Sequence, residues 1–537
     1  MKQVQTLFYV TILIILLAAC NEDDIDLTES TNSTVRDANN DSEDMMVIGK
    51  EIENPYSIKY MRMAFNDMTN GSISKSSPNY NLEANCLYVR FLPKDMDEFE
   101  KLYADTTIEL FDYPLLNEIE VEGDYYHDPT LPEDAITWQY TTVPVNYKFP
   151  NIRYEILDSC FIPDDYEQTL SKKFSNFDTD RLTYLAFKYA GQEDEYQCDI
   201  SKKRQSPSGQ FRVYDNYQKT LVGISNVKVR VKNFIRWANT YTDTKGIYSF
   251  NKHFASNRLH YSIIFRSRDS VIINNLMFDV DAARKNLGSH SKSGYSEDFT
   301  SDTAKVWMWA TVNNAVQIYK RELCPKFGVP VPNTKLHIFI FTRIKQRAWT
   351  GCTPMARHMN IKFANWQTFC INVLGITGIK WIANGIGPDI MIADINRTQN
   401  LYTTVFHEMS HVCHYMKAGK EYWQPYVKFV TQHYGYGNRK DRNSGYVGVG
   451  EMWGYYFGDY ICGKEYFKIE GTPWKPREFW FMPDILKMAA TAVPLSPKQV
   501  YNCLSSDIVS HELLKQKLIK QYGNKEDIVL CFKQYGF

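Results

Sequence analysis

His407, Glu408 and His411 stand in the order His-Glu-x-x-His within Val405-Phe406-His407-Glu408-Met409-Ser410-His411-Val412. On a helix, residues four apart project from nearly the same face, one turn from each other. Two imidazoles so placed can close on one metal ion. Glu408, beside them on the helical wheel, can reach a water on that ion. The combination suits hydrolysis: the cation polarises the bond to be broken, and the carboxylate takes a proton from the attacking water. The flanks suit a helix, with Leu401, Val405, Phe406 and Val412 apolar and Thr403 or Thr404 available as a cap. The competing reading is a half-buried helix carrying two histidines already satisfied by hydrogen bonds.

A metal on His407 and His411 needs a further protein ligand. Gly445 to Gly450 reads as a Gly-rich turn, and Glu451 opens a new helical pattern with Met452, Tyr455, Tyr456 and Tyr460. His414 shares the stripe of His411 but lies roughly 10 Å along the axis from His407. That is too far for one tetrahedral ion, so His414 reads as core or as a neighbour of the ligands. His433 is an alternative ligand from a separate segment. His433, Tyr434, Tyr436 or Tyr446 could instead stabilise a transition state, and no spacing rule separates them.

The His-Glu-x-x-His stretch resembles the zincin metallopeptidases. Gly450-Glu451-Met452-Trp453-Gly454-Tyr455 resembles the Glu-bearing second helix of the gluzincins. The resemblance implies Zn2+ held by His407, His411 and Glu451 with one position left open, and Glu408 as the general base of peptide-bond hydrolysis. The sequence departs from the best-known members at Tyr455, where several families carry Asp, and in a longer spacer after His411. The partner of the second His407 nitrogen is thereby left open. Asp459, two helical turns beyond Glu451, reads as a poor substitute. Upstream, Lys335 to Phe341 and Pro388 to Ala393 read as strands. Their order resembles the zincin upper subdomain, in which a strand beside the metal helix offers its edge to the substrate backbone.

The rest of the chain must position this helix pair. A length of 537 residues suggests about three domains. Composition is that of a globular protein, 44% hydrophobic and 23% charged, and the net charge of −1 gives no footprint for nucleic acid. The start reads as a signal peptide over 1–20: Lys2, an apolar run from Leu7 to Leu17, then Leu17-Ala18-Ala19-Cys20. That ending resembles the bacterial lipobox, implying lipidation of Cys20 and membrane attachment through acyl chains. Asn21-Glu22-Asp23-Asp24 resembles the surface-export signal of Bacteroides-type lipoproteins, implying an outer-membrane, cell-surface location. Residues 21–50 are polar and acidic and read as a flexible tether.

Residues 51–205 mix strand and helix patterns into an α+β region, with the carboxylates of 117–134 on a solvated face. Over 206–275 the pattern turns to β. Val227, Val229 and Val231 alternate with basic residues, which predicts one buried and one wet face. Thr242-Asp243-x-x-Gly246-x-Tyr248 and its neighbours resemble the carboxypeptidase-regulatory-like β-sandwich, an accessory domain. Residues 276–537 hold the zincin-like domain, with helical closure after 461 including a stripe of Val500, Leu504, Ile508 and Leu513. Eleven cysteines permit disulfides in an oxidising compartment, but pairing is not legible from spacing, and Cys352 with Cys370 is only a guess. Cys413 reads as a buried thiol.

The expectation is therefore a multidomain α+β chain: a lipid-anchored, zinc-dependent metallopeptidase acting on a peptide or protein substrate. The alternative is an inactive surface lipoprotein that binds glycan or peptide, which the 37 Tyr and 30 Phe would suit. A purely structural zinc is the third reading, and it lacks an evident fourth protein ligand.

Overall fold

The computed structural model describes residues 45–69, 82–132, 135–163, 177–196, 206–254, 256–275, 282–302, 304–341, 350–360, 388–433, 435–468 and 479–537. The signal peptide, Cys20, most of the tether, Tyr434 and Cys370 lie outside them. The described chain is mixed α+β and multidomain.

The first part contains β1 (Val47–Glu51), α1 (Ile58–Thr69), β2 (Cys86–Leu92), α2 (Met96–Tyr103), β3 (Asn117–Val121), β4 (Gln139–Pro144), β5 (Arg153–Cys160) and α3 (Thr179–Tyr189). β1 begins inside the stretch expected to be tether. Met46 is buried and Ile48 pairs with Ile119 of β3, so enough apolar surface is present here to order the backbone. Strands β4-β2-β5 form an antiparallel sheet. Asp95 caps α2 by accepting from the Glu98 backbone N–H. Phe99 and Leu102 of α2 then pack with Val89 and Phe91 of β2.

The β region comprises β6 (Ser208–Asp215), β7 (Thr220–Gly223), β8 (Lys228–Asn233), β9 (Arg236–Tyr241), β10 (Ile247–Ser249), β11 (Arg258–Ile264), β12 (Val271–Asn275), β13 (Arg284–Ser291) and β14 (Glu297–Phe299). One sheet runs β10-β6-β14 with β7 on β6, and another runs β13-β11-β8-β9. The boundary expected at 275 does not hold. β12 leaves for the next sheet, and β13 and β14 return afterwards. Val271-Ile272-Ile273 is apolar and buried on both faces, the pattern of a strand inside a parallel sheet rather than of a half-wet one.

The wet face expected of β8 is covered. Lys228 Nζ reaches both oxygens of Glu109 at 2.7 and 2.5 Å, and Arg230 Nη1 reaches Glu109 Oε1 at 3.3 Å and the Leu110 carbonyl at 3.0 Å. Lys232 donates to the Leu115 carbonyl at 3.3 Å. Nearby, Arg284 binds Asp112 through two nitrogens, Lys285 meets Asp124 and His260 meets Glu122. Glu122 and Asp124, expected on a solvated face, thus form part of an ionic interface between the two regions. Period-two alternation tells which residues share a face, and says nothing of what covers it.

The remaining elements build the site. α4 (Lys305–Ile318) widens into a π turn at Tyr319–Leu323. β15 (Leu336–Ile340), β16 (Gly351–Cys352) and β17 (Ile390–Ile392) join β12 in the order β12-β15-β17-β16. The first three are parallel and β16 is antiparallel. The strand within 388–393 is therefore interior, and β16 holds the edge among the described residues. α5 (Thr398–His433) starts before the expected Thr caps. Asn216 accepts from its first backbone N–H, while Thr403 bonds back to the Gln399 carbonyl. Gly419, at φ 73°, breaks α5 into two helical halves. α6 (Ser444–Trp453) runs into a π-helical segment, Gly454–Gly463, so the turn expected at Gly445 to Gly450 is helical and Glu451 sits in the last turn of α6. The glycines there admit close neighbours, Val509, His511 and Tyr426. α7 (Asp484–Ala492), α8 (Pro497–Asn502), α9 (His511–Tyr522) and α10 (Lys525–Gln534) close the chain. The capping box of Ser496 and Gln499 starts α8, but the helix stops at Asn502 and Leu513 is exposed, so the expected long stripe is two short pieces.

Candidate metal centre

Leu401, Val405, Phe406, Met409, Val412 and Cys413 are all buried, so the first half of α5 is a core helix and its histidines are buried with it. α6 and the π segment lie across that helix. A Cβ on Gly454 would sit 2.8 Å from His407 Cε1 and Nε2 and 2.9 Å from His411 Cε1, and one on Gly458 would sit 2.6 Å from His407 Cα. Any other residue at these two positions would push the helices apart. Trp453 Nε1 donates to the Ser410 carbonyl at 2.9 Å and pins the crossing.

The crossing brings His407, His411 and Glu451 together, with one ligand-grade atom from each within 4.8 Å of the others. The two Nε2 atoms are 3.0 Å apart. Glu451 Oε2 is 3.4 Å from His407 Nε2, and Oε1 is 3.5 Å from His411 Nε2. A tetrahedral cation with bonds of about 2.0–2.1 Å needs ligand atoms about 3.3 Å apart, which these separations bracket. Glu451 Oε2 is buried and has no hydrogen-bond donor among the described residues. Such an orphaned acceptor facing two ring nitrogens fits a metal ion.

Electrostatics support the fit. Burial alone would raise Glu451, yet the charged His407 imidazole and the Tyr426 hydroxyl beside it hold its carboxyl below its ordinary value. Burial pushes His411 down to about 3, keeping it neutral and able to bind a cation. Burial also works against a charged His407, but the Asp459 and Glu451 carboxylates outweigh it and hold that imidazole well above its ordinary value. A cation entering here would displace that proton.

Two partners of the ligands escape sequence reasoning. Asp459 Oδ1 accepts from His407 Nδ1 at 3.0 Å, so the residue dismissed as a poor substitute takes the orienting place. On an α-helix, Asp459 would point about 80° away from Glu451. The wider π turn advances each residue less and swings Asp459 onto the Glu451 side. Tyr455 packs its ring on His407 instead, with centroids 4.6 Å apart. Tyr426, from the second half of α5, donates its hydroxyl to Glu451 Oε1 at 2.5 Å. The only sequence signal was the Gly454-x-x-x-Gly458 spacing, which marks a close helix approach.

Glu408 belongs to the same helix but not to the ligand group. Its Oε2 accepts from Thr353 Oγ1 at 2.7 Å, just beyond the edge strand β16. Gly351 of that strand has no room for a Cβ, which would lie 2.7 Å from Glu408 Oε1. Burial pushes Glu408 up to about 7, against the opposing pull of His407 and the Thr353 hydroxyl. A carboxyl that stands beside the ligand group without belonging to it is placed to take and return a proton.

The other candidates lie apart. His414 is fully buried among Tyr422 and Trp423, with neither ring nitrogen hydrogen-bonded among the described residues, and burial pushes it down to about 3. His433 stacks on Phe429 and meets Asp441 at 3.4 Å. Tyr446 packs on Tyr422 and offers that residue only its backbone carbonyl. Cys413 accompanies Tyr319 as a buried thiol. Comparison of the chain with protein-family models, curated proteins and solved structures finds no match.

Asp459→Ala is expected to weaken metal binding about 10–100-fold with the fold intact, because His407 loses the acceptor that fixes its tautomer. Competition titration against a chromophoric chelator measures this, and wild-type affinity in the variant would show the bond to be idle.

Proposed function

We propose that the chain is a zinc metallopeptidase of gluzincin type, tethered to a membrane through Cys20. The observation that carries this reading is the buried His407–His411–Glu451 triangle with the non-ligand carboxylate of Glu408 on the same helix. Two imidazoles and one carboxylate form a donor set common for catalytic zinc, and three protein ligands leave a position for substrate or water. The mixed sheet with its antiparallel edge strand β16 beside α5 supports a zincin-like domain. The two sheets of β6–β11, β13 and β14 support an accessory β-sandwich.

Bound zinc would supply a Lewis acid and a more acidic water. His407 and His411 present Nε2 to it, with Asp459 fixing the His407 tautomer. Tyr426 holds Glu451 in place. Glu408 takes a proton from the attacking water on its carboxylate and returns it to the leaving amine nitrogen. β16 offers backbone groups on which an extended peptide can lie.

Metal analysis joined to a diverse peptide library tests the proposal. Wild type is expected to carry stoichiometric zinc and to cleave library members, to lose activity to a chelator and to regain it with zinc. Glu451→Ala should fold and lose the metal. Stoichiometric zinc in that variant, or no cleavage by zinc-loaded wild type, would overturn the reading.

A further inference from the structure

We propose that Cys86 and Cys160 are joined in the mature protein by a cross-strand disulfide that closes the N-terminal sheet. The two residues face each other directly in the antiparallel pairing of β2 with β5. Facing residues of such a pair have Cα atoms about 4.5–5.5 Å apart and side chains on one face, within the range of about 4.4–6.8 Å that a disulfide spans. Both residues are buried, at 7% and 0% exposure. Both are free thiols that interact: Cys86 is the largest influence on the Cys160 thiol, ahead of burial, and the two together push it well up.

The surroundings favour a bonded sulfur. Asn54 Nδ2 donates to Cys160 Sγ at 3.3 Å and to Asp158 Oδ2 at 2.8 Å, fixing the Cys160 end of β5. The Asn85 backbone N–H donates to the Cys160 carbonyl at 3.0 Å, and Asn85 also brackets Ile162 through its side chain. The ladder is therefore held in register where the bond would form. Cys324 and Cys413, another close pair, differ. They sit on two helices with no ladder to set their register, and the Tyr319 hydroxyl lies 3.4 Å from Cys413 Sγ.

The chemistry balances as an exchange. Both S–H bonds break and one S–S bond forms. The two electrons and two protons pass to the disulfide of an oxidising dithiol–disulfide partner, which leaves as a dithiol. Because both thiols are buried once folded, exchange takes place before the N-terminal core closes. The bond would clip a loop running from β2 through α2, β3 and β4 to β5, and long loops gain most from closure.

Peptide mapping of the full chain, produced in an oxidising compartment, tests this. Free thiols are alkylated in denaturant and the chain is digested without reductant. The expected product is a Cys86 peptide linked to a Cys160 peptide, lighter than the sum of the two by a pair of hydrogens and separated by reductant. Alkylation of both residues, or linkage of either to another cysteine, would refute the bond. A packing-conserving variant, C86V/C160V, gives a second readout. Reduction in denaturant followed by refolding should lower the melting temperature of wild type and leave that of the variant unchanged. An equal drop in both would place the redox effect elsewhere.

Discussion

Glu408→Gln is expected to keep its zinc and its fold while kcat for peptide hydrolysis falls by about 10²–10⁴-fold, the usual weight of a positioned general base. No ligand is touched, since Glu408 stands outside the His407–His411–Glu451 group. Gln has nearly the same shape, and its amide oxygen can still accept from Thr353 Oγ1, which now meets Glu408 Oε2 at 2.7 Å. What is lost is a group able to accept a proton, because an amide is no base near neutrality. Proton transfer is used only on the way to the transition state, so KM should change little. Steady-state kinetics on a cleaved library peptide, with zinc measured in the same preparations, gives the answer. A variant that turns over as fast as wild type would remove Glu408 from the mechanism.

Glu109→Ala is expected to cost about 3–5 kcal/mol of stability, the range for removing one partner of a buried ion pair. Glu109 is buried and accepts from Lys228, Arg230 and Asn239. Without it, Lys228 and the deeply buried Arg230 keep their charges in an interface that no longer answers them. The sign with pH follows from the carboxyl's shift. Burial would raise it, but Lys228 and Arg230 pull it below its ordinary value. Its contribution is therefore present above the unfolded carboxyl pKa of about 4.3 and fades as pH falls through the lower folded value. Urea unfolding of variant and wild type should show a wide gap at neutral pH that narrows below about pH 4. The surface pair Lys50–Glu118 is the control, and Glu118→Ala should leave the midpoint in place. Equal midpoints for Glu109→Ala and wild type would mean that the interface does not depend on this charge.

The ligand triangle was legible because it rests on one regular period, four residues along α5, and on a Glu within a second helical pattern, although that Glu lies in the last turn of α6 and not at its start. Asp459 was not legible, because the π segment changes the angle per residue and nothing in Gly454 to Gly463 announces where the change begins. Tyr426 was hidden by the reversal at Gly419, which folds the second half of α5 back toward Glu451. In the β region, strand positions followed alternation, whereas burial of the basic face of β8 depended on Glu109 and on the Leu110 and Leu115 carbonyls, more than a hundred residues away. The edge strand was not legible for a related reason. Ile390–Ile392 looks like any apolar strand, and only the arrival of Gly351–Cys352 beside it makes it interior.

The course of β12 bears on how the chain can be divided or inherited. The strand enters the mixed sheet before the β region is finished, and β13 returns to pair with β11. No single cut separates the two. Ending the chain after Asn275 would strand Val271-Ile272-Ile273 without β15 and deprive β11 of β13, leaving open apolar edges of the kind that recruit other chains. Starting it there would remove the strand on which β15 is laid. The accessory region and the metal-bearing region are thus stitched together like two cloths sharing one thread, and recombination would have to exchange them as a single module.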